Sequence, residues 1–188
     1  MIGNREPPAR FGRPTVGSGP GERLEERDMS DTDAGDDGAA ALLLSSQICF
    51  AVYSAAHAFN RIYKPLLDRL GLTYPQYLVL LLLWEQDGQT MKSLGQRLYL
   101  DSGTLTPLLK RLEAAGLVHR ARDSQDERLM RISLTEAGAA LRERAMPFPN
   151  EIVCASGQPA DRLIALRDEI LALRDSLHAS AAPDRGAA

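Results

Sequence analysis

Residues 78–84 read LVLLLLW, seven apolar side chains in succession. A helix of that composition has no solvent face and has to be wrapped by other elements on every side. The run is far short of the roughly 18 residues that a membrane span requires, which leaves the centre of a water-soluble core as its place. Its limits are legible. Thr73 followed three residues later by Gln76 is a capping-box signature, Pro75 is tolerated in a first turn, and Asp87-Gly88 marks an end after about Glu85. Whatever else the chain forms, it forms around this helix.

The surrounding text supplies mostly helices. A broadly apolar helix is expected from Ala41 to about Tyr63 or beyond, with a bend at Pro65 and a break at Gly71. Beyond the central run, Thr90 caps a short helix carrying Leu94 and Leu98. After the connector 99–101 a longer helix runs to Ala115 and stops at Gly116. Leu105, Leu108, Leu109 and Leu112 recur at i, i+3, i+4 and i+7 and form its buried stripe, which leaves Thr104, Thr106, Pro107, Lys110 and Arg111 outside. Two short strands, 117–120 and 129–134, flank the charged loop ARDSQDER. Thr135 caps a further helix to about Met146, Pro147 and Pro149 break it, and a last amphipathic helix spans roughly 160–177. The predicted fold is mainly α with a small β-hairpin: a winged helix-turn-helix with helices added at both ends.

Charge points the same way. The chain carries a net charge of −3, but residues 90–131 hold eight bases against five acids. A basic segment on an acidic body is the footprint of one phosphate-facing element. Ser102, Thr104, Thr106 and Arg111 are expected near base edges, and Lys92, Lys110, Arg120, Arg122 and Arg128 near phosphates. Singly, each of these would pass for solvent decoration; helix, cluster and wing together predict binding to double-stranded DNA.

Residues 1–38 are rich in Gly, Pro, Arg and acids and poor in anything to bury, so they read as a disordered extension, and Met29 offers an alternative start. Residues 181–188 read as a frayed tail. Neither a membrane span nor a signal-peptide core is visible in the sequence, so a cytoplasmic protein is expected. The two cysteines, Cys49 and Cys154, stand 105 residues apart, which argues against a zinc site or a thioredoxin-type dithiol. No cofactor, metal or catalytic residue is expected.

Cys49 lies in a stretch, 47–77, that also holds four of the five tyrosines. Tyr53 is four residues on and shares its helix face. Tyr63 is 14 residues on, about 21 Å along a straight helix, and out of reach within one chain.

The stretch LYLDSGTLTPLLKRLEAAGLVHRARDSQDERLMRISLTEAG, 98–138, resembles the DNA-binding core of the MarR family. The segments CFAVY and YKPLLDRLGLTYPQY resemble the organic hydroperoxide resistance regulators within it, in the two-cysteine class. The resemblance covers roughly 42–177. It implies a homodimeric repressor with a winged-helix domain at 39–180, its DNA-binding core at 72–138 and dimerisation helices at 42–71 and 139–178, bound to a palindromic operator and released on oxidation. Asp126 and Arg128 match the family's wing acid and arginine, a pair able to hold the arginine in position.

The same resemblance implies that Tyr63 and Tyr74 of the partner subunit donate hydrogen bonds to the Cys49 sulfur with Tyr53 nearby, and that Cys154 resolves the oxidised thiol across subunits. Two helices crossing antiparallel about a two-fold axis near residue 56 would bring position 49 of one chain to position 63 of the other. Apolar neighbours oppose a thiolate there and phenolic donors favour it; the donors are expected to prevail, while the apolar wall selects organic hydroperoxides. His57, one turn beyond Tyr53, reads as an ordinary helix residue. Three other readings stay open: a regulator answering a small aromatic ligand with Cys49 as passive core, a thiol peroxidase, and a purely structural dimer. The first would keep its response without the thiol; the second lacks a βαβ pattern around it; the third leaves the basic helix and wing unexplained.

Overall fold

A computed structural model describes residues 40–124 and 126–181; the extension expected at 1–38 and positions 182–188 of the expected frayed tail lie outside the described residues. The contacts divide the chain into two units, 1–46 and 47–188. Of the first, residues 40–46 are described, and they hold a 3-10 turn at Leu44–Ser46. The second comprises α1 (Ile48–Asp68), α2 (Tyr74–Glu85), β1 (Gln89–Thr90), α3 (Met91–Leu98), α4 (Ser102–Ala114), β2 (Val118–Arg122), β3 (Met130–Leu134), α5 (Glu136–Ala145), α6 (Phe148–Ser156) and α7 (Ala160–Ala181).

The central helix is α2. Its capping box is formed, with the Gln76 side chain accepting from the Thr73 backbone N–H at 2.8 Å. Val79, Leu80 and Leu83 are buried against Leu94, Leu105, Leu109, Leu112, Val118 and Ile132, and these nine are the most deeply buried large side chains among the described residues. Truncating one of the leucines to alanine is expected to cost about 2–5 kcal/mol, since so tight a cluster cannot collapse onto the void. The stripe Leu105, Leu108, Leu109, Leu112 faces inward as its spacing predicts. Thr90, Asp101 and Thr135 cap α3, α4 and α5 by accepting from the N3 backbone N–H.

The sheet departs from the expected hairpin. It has three antiparallel strands in the order β1-β3-β2, with Gln89 opposite Ile132 and Val118 opposite Leu134. A two-residue strand carries no alternation to detect, and β1 exists because β3 offers it an edge. Its buried Gln89 side chain donates to the carbonyls of Leu82 and Gln86 at 2.7 and 2.9 Å, bracing the last turn of α2, where the Leu82 carbonyl also accepts the Gln86 N–H at 3.1 Å.

Two further expectations are corrected. The first long helix begins at Ile48 rather than near Ala41; it continues beyond Tyr63 as its sequence predicts, to Asp68, with Pro65 inside it removing only the N–H that would have reached the Arg61 carbonyl. Pro147 and Pro149 start a helix as well as ending one: Pro147 is the N-cap of α6 and Pro149 lies in its first turn, where a missing N–H costs nothing. Cys154 therefore sits on a helix. That helix packs on α1 and on the end of it, where the Arg69 guanidinium lies 5.6 Å from the Phe148 ring and pairs with Glu151 at 3.1 Å.

Candidate DNA-reading face and thiol site

The recognition helix α4 is presented by its cap. One Asp101 carboxylate oxygen accepts from the Thr104 backbone N–H at 2.8 Å and the other from the Thr104 hydroxyl at 3.0 Å, bonds that hold this carboxyl below its usual range. The Thr104 hydroxyl is thereby committed to the cap. Thr106 is committed too, since its hydroxyl donates to the Ser102 carbonyl at 2.6 Å and the side chain is half-buried. Of the three hydroxyl residues expected to read bases, Ser102 is exposed at the first turn with no such tie. Lys110, Arg111 and Lys92 are exposed.

The wing sorts its arginines. Arg122 donates to the Glu127 carbonyl at 2.8 Å, bracing one strand against the loop. Arg120, expected at phosphate, is half-buried, with its Nε 3.4 Å from the Glu113 carboxylate of α4. Arg128 is exposed and lines a groove of about 700 Å³ together with Lys92, Tyr99 and Ser102, between the wing and the start of α4. The Asp126 carboxylate accepts from the Arg128 backbone N–H at 3.0 Å, so among the described residues it fixes the arginine's main chain and not its guanidinium.

Sequence reasoning passed over the pair that anchors the wing. Arg131 on β3 bonds through Nε to the buried Asp123 carboxylate at 2.7 Å and through a terminal nitrogen to the Gly88 carbonyl. Asp87 adds one carboxylate oxygen that accepts from the Leu134 and Gly88 N–H groups, both at 2.8 Å. Their separations of eight and 47 residues leave no local signal.

The thiol site is divided within the chain. Cys49 is a free, exposed thiol on the second residue of α1, ahead of Phe50 and Tyr53, whose rings lie 6.4 Å apart; His57 meets the Tyr53 ring edge-on at 4.4 Å. Tyr63, near the other end of the same helix, packs on Tyr74 at 4.9 Å and Tyr77 at 5.9 Å. Burial, then the neighbouring phenols Tyr74 and Tyr77, push Tyr63 up to about 12; burial raises Tyr74 as well. Both phenols are therefore protonated donors at neutral pH. Cys154 is free and exposed on α6. Ile48, Phe50, Val52, Phe59 and Ile62 of α1 are exposed, and α7 buries none of its residues while exposing Leu166, Ile170, Leu173 and Leu177. Among the described residues no His, Cys, Asp and Glu cluster could hold a metal ion, and no helix is long and apolar enough to cross a membrane.

A helix-turn-helix whose second helix is exposed and basic, with a braced wing beside it, defines a DNA-binding transcriptional regulator. Comparison with known proteins narrows the class. Residues 61–144 match the family described as transcriptional regulator SarA/Rot. The chain is 55% identical over 138 residues to the HTH-type transcriptional regulator TtmR of Methylorubrum extorquens, covering 73% of this chain and 71% of that protein. It is 50% identical over 135 residues to the organic hydroperoxide resistance transcriptional regulator of Bacillus subtilis, covering 72% and 92%. Among solved structures, that of reduced AbfR bound to DNA aligns with a TM-score of 0.63 at 37% identity, over 76% of this chain and 99% of that one. AbfR, from Staphylococcus epidermidis, is also known in a disulfide form, which aligns at 0.51 and 36% over 73% and 97%. The chain belongs to the MarR family of transcriptional regulators, in its organic hydroperoxide resistance branch.

Proposed function

We propose that this regulator is a redox-responsive repressor whose operator affinity is switched at Cys49, and that the switch is assembled by two copies of the chain. The observation that carries this reading is that Cys49 and Tyr63, the latter packed on Tyr74, stand near opposite ends of α1. About 21 Å of helix axis parts them in one chain. Two α1 helices crossing antiparallel near residue 56 bring the thiol of one copy to the phenols of the other. The exposed apolar faces of α1 and α7 support such a pairing, because faces of this size seldom stay open to water. Residues 42–71 and 139–178 are then the dimerisation helices, and 72–138 the DNA-reading core that meets a palindromic operator.

The chemistry balances with an organic hydroperoxide as oxidant, the class named for the Bacillus subtilis relative. The Cys49 thiolate attacks the peroxide oxygen, an S–O bond forms as O–O breaks, and the alkoxide leaves as an alcohol after taking a proton. The start of a helix, with its unused backbone N–H groups, is a favourable place for an anion. Cys154 of the partner subunit displaces hydroxide from the sulfenic acid, giving a disulfide and water. Two low-molecular-weight thiols reverse this by exchange. An intersubunit bond pulls α6 and α1 together and moves two winged helices off half-sites about one DNA turn apart.

The test uses a duplex of roughly 30 bp, selected from a random library by the reduced chain, which is long enough for two such half-sites. Reduced protein should retard it in a gel, and cumene hydroperoxide should abolish the shift. A retained response in Cys49→Ser would overturn the thiol switch and favour a small aromatic ligand instead. Non-reducing electrophoresis after oxidation should show a covalent dimer that Cys154→Ser lacks; a dimer band in that variant refutes the resolving role.

A further inference from the structure

Five described residues have the left-handed backbone conformation, and four of them are glycines: Gly71, Gly88, Gly116 and Gly157. The fifth is Tyr99, at φ 56° and ψ 36°, the C-cap of α3 in the turn before the recognition helix. An aromatic residue is disfavoured there, where glycine or asparagine fits without strain. Its ring is not held by the core, for Tyr99 is 55% exposed. It is held by the C-terminal turns of α7. The His178 imidazole stacks on the phenol at 4.8 Å with the planes 10° apart, and the Arg174 guanidinium lies 4.9 Å from the ring centroid. Arg174 and His178 are four residues apart and so share one face of α7, and Arg174 is further oriented by Asp175 at 2.7 Å.

We propose that Tyr99 is a positioning residue for DNA binding: its ring, clasped by Arg174 and His178, ties the helix-turn-helix connector to the end of α7 and sets the angle at which α4 meets the groove. The connector is short enough to transmit this. Tyr99 is two residues from Asp101, whose carboxylate holds Thr104, and three from Ser102, the exposed hydroxyl at the start of the recognition helix. Tyr99 also lines the groove that Lys92, Ser102 and Arg128 share, so a tilt of the connector moves that whole face. The strained backbone at Tyr99 is what fixes the ring's direction; glycine would relax the turn and lose the clasp.

That opposition gives a test, made on the fully reduced chain without oxidant, so that its outcome is independent of the thiol switch. Tyr99→Gly removes the ring and relieves the backbone, and should unfold thermally at or above the wild-type temperature while binding the selected duplex about tenfold more weakly. Tyr99→Phe keeps the clasp and should bind within about threefold of wild type. The double variant Arg174→Ala/His178→Ala should lose as much as Tyr99→Gly, and combining all three should lose no more, because one clasp is being removed each time. Wild-type affinity in Tyr99→Gly overturns the proposal. Losses that add overturn it too, since they would mean Arg174 or His178 acts on DNA directly, and a loss in Tyr99→Phe equal to that in Tyr99→Gly would assign the effect to the hydroxyl.

Discussion

The indole N–H of Trp84 donates to the backbone carbonyl of Gly138 at 3.0 Å, joining the central helix to the first turn of α5. The same glycine faces the Leu117 carbonyl so closely that a Cβ would lie 2.0 Å from its oxygen. That carbonyl also accepts the Thr135 N–H at 3.1 Å, so it is not free to move aside. Gly138→Ala should therefore destabilise the chain by about 3 kcal/mol, at the upper end of overpacking costs. Urea titration followed by Trp84 fluorescence measures it; a loss under about 1 kcal/mol would show that α5 can shift away freely.

Arg131 and Asp123 carry the wing. Replacing Arg131 by methionine leaves a buried carboxylate without its guanidinium partner, and the expected cost is about 2 kcal/mol, reduced because the arginine is half-exposed. The loss should be local, with amide exchange accelerated on β2 and β3 and little changed on α2. Uniform acceleration would contradict it.

Arg120 and Arg128 should differ in salt dependence. Each arginine at a phosphate contributes about 0.9 to the slope of log affinity against log salt. Arg128→Ala should lower that slope by about this amount, whereas Arg120→Ala should barely change it, because Glu113 already holds the guanidinium. Glu113→Gln should release Arg120 and raise the slope. Equal slopes for the two arginine variants would refute the distinction.

Alkaline pH should unfold the chain through Tyr63. Its folded value is pushed up to about 12 from an ordinary 10.0, so an unfolded chain sheds the proton first. The stabilising contribution is fully present below pH 10, declines above it and is gone by pH 12. A spectrophotometric titration of tyrosinate should lose its latest step in Tyr63→Phe, and that variant should resist denaturation between those two pH values better than wild type. An unchanged late step would assign it to another phenol.

Much of the reader was legible because its signals are local. Thr73 and Gln76 are three residues apart, Thr135 precedes its helix directly, and the four leucines of α4 repeat at helical spacing. The start of α1 was not legible: leucines run on from Leu42 to Leu44 into the helix, and Gln47 makes no side-chain cap hydrogen bond to mark a boundary. The α6 helix is hidden in the sequence because Pro147 and Pro149 fit the end of one helix and the start of another equally well. At the DNA face, composition located the cluster but could not say which groups were free. The hydroxyls of Thr104 and Thr106 are engaged by Asp101 and the Ser102 carbonyl, and Arg120 by a carboxylate across an element boundary. Tyr99 gave no signal, since its partners lie 75 and 79 residues on.

The nine deeply buried side chains all belong to residues 79–132, inside the reader, whereas α1 and α7 carry most of the exposed large apolar side chains among the described residues. The reader's integrity is thus indifferent to how much protein a cell makes, whereas the proposed pairing of readers follows mass action. Mutations in the two halves then have different genetics. A lesion in the reader's core removes protein and is recessive to a good copy. One on the α1 or α7 face leaves a folded reader that has lost its partner, behaves like a reduced gene dose, and is suppressed by overexpression.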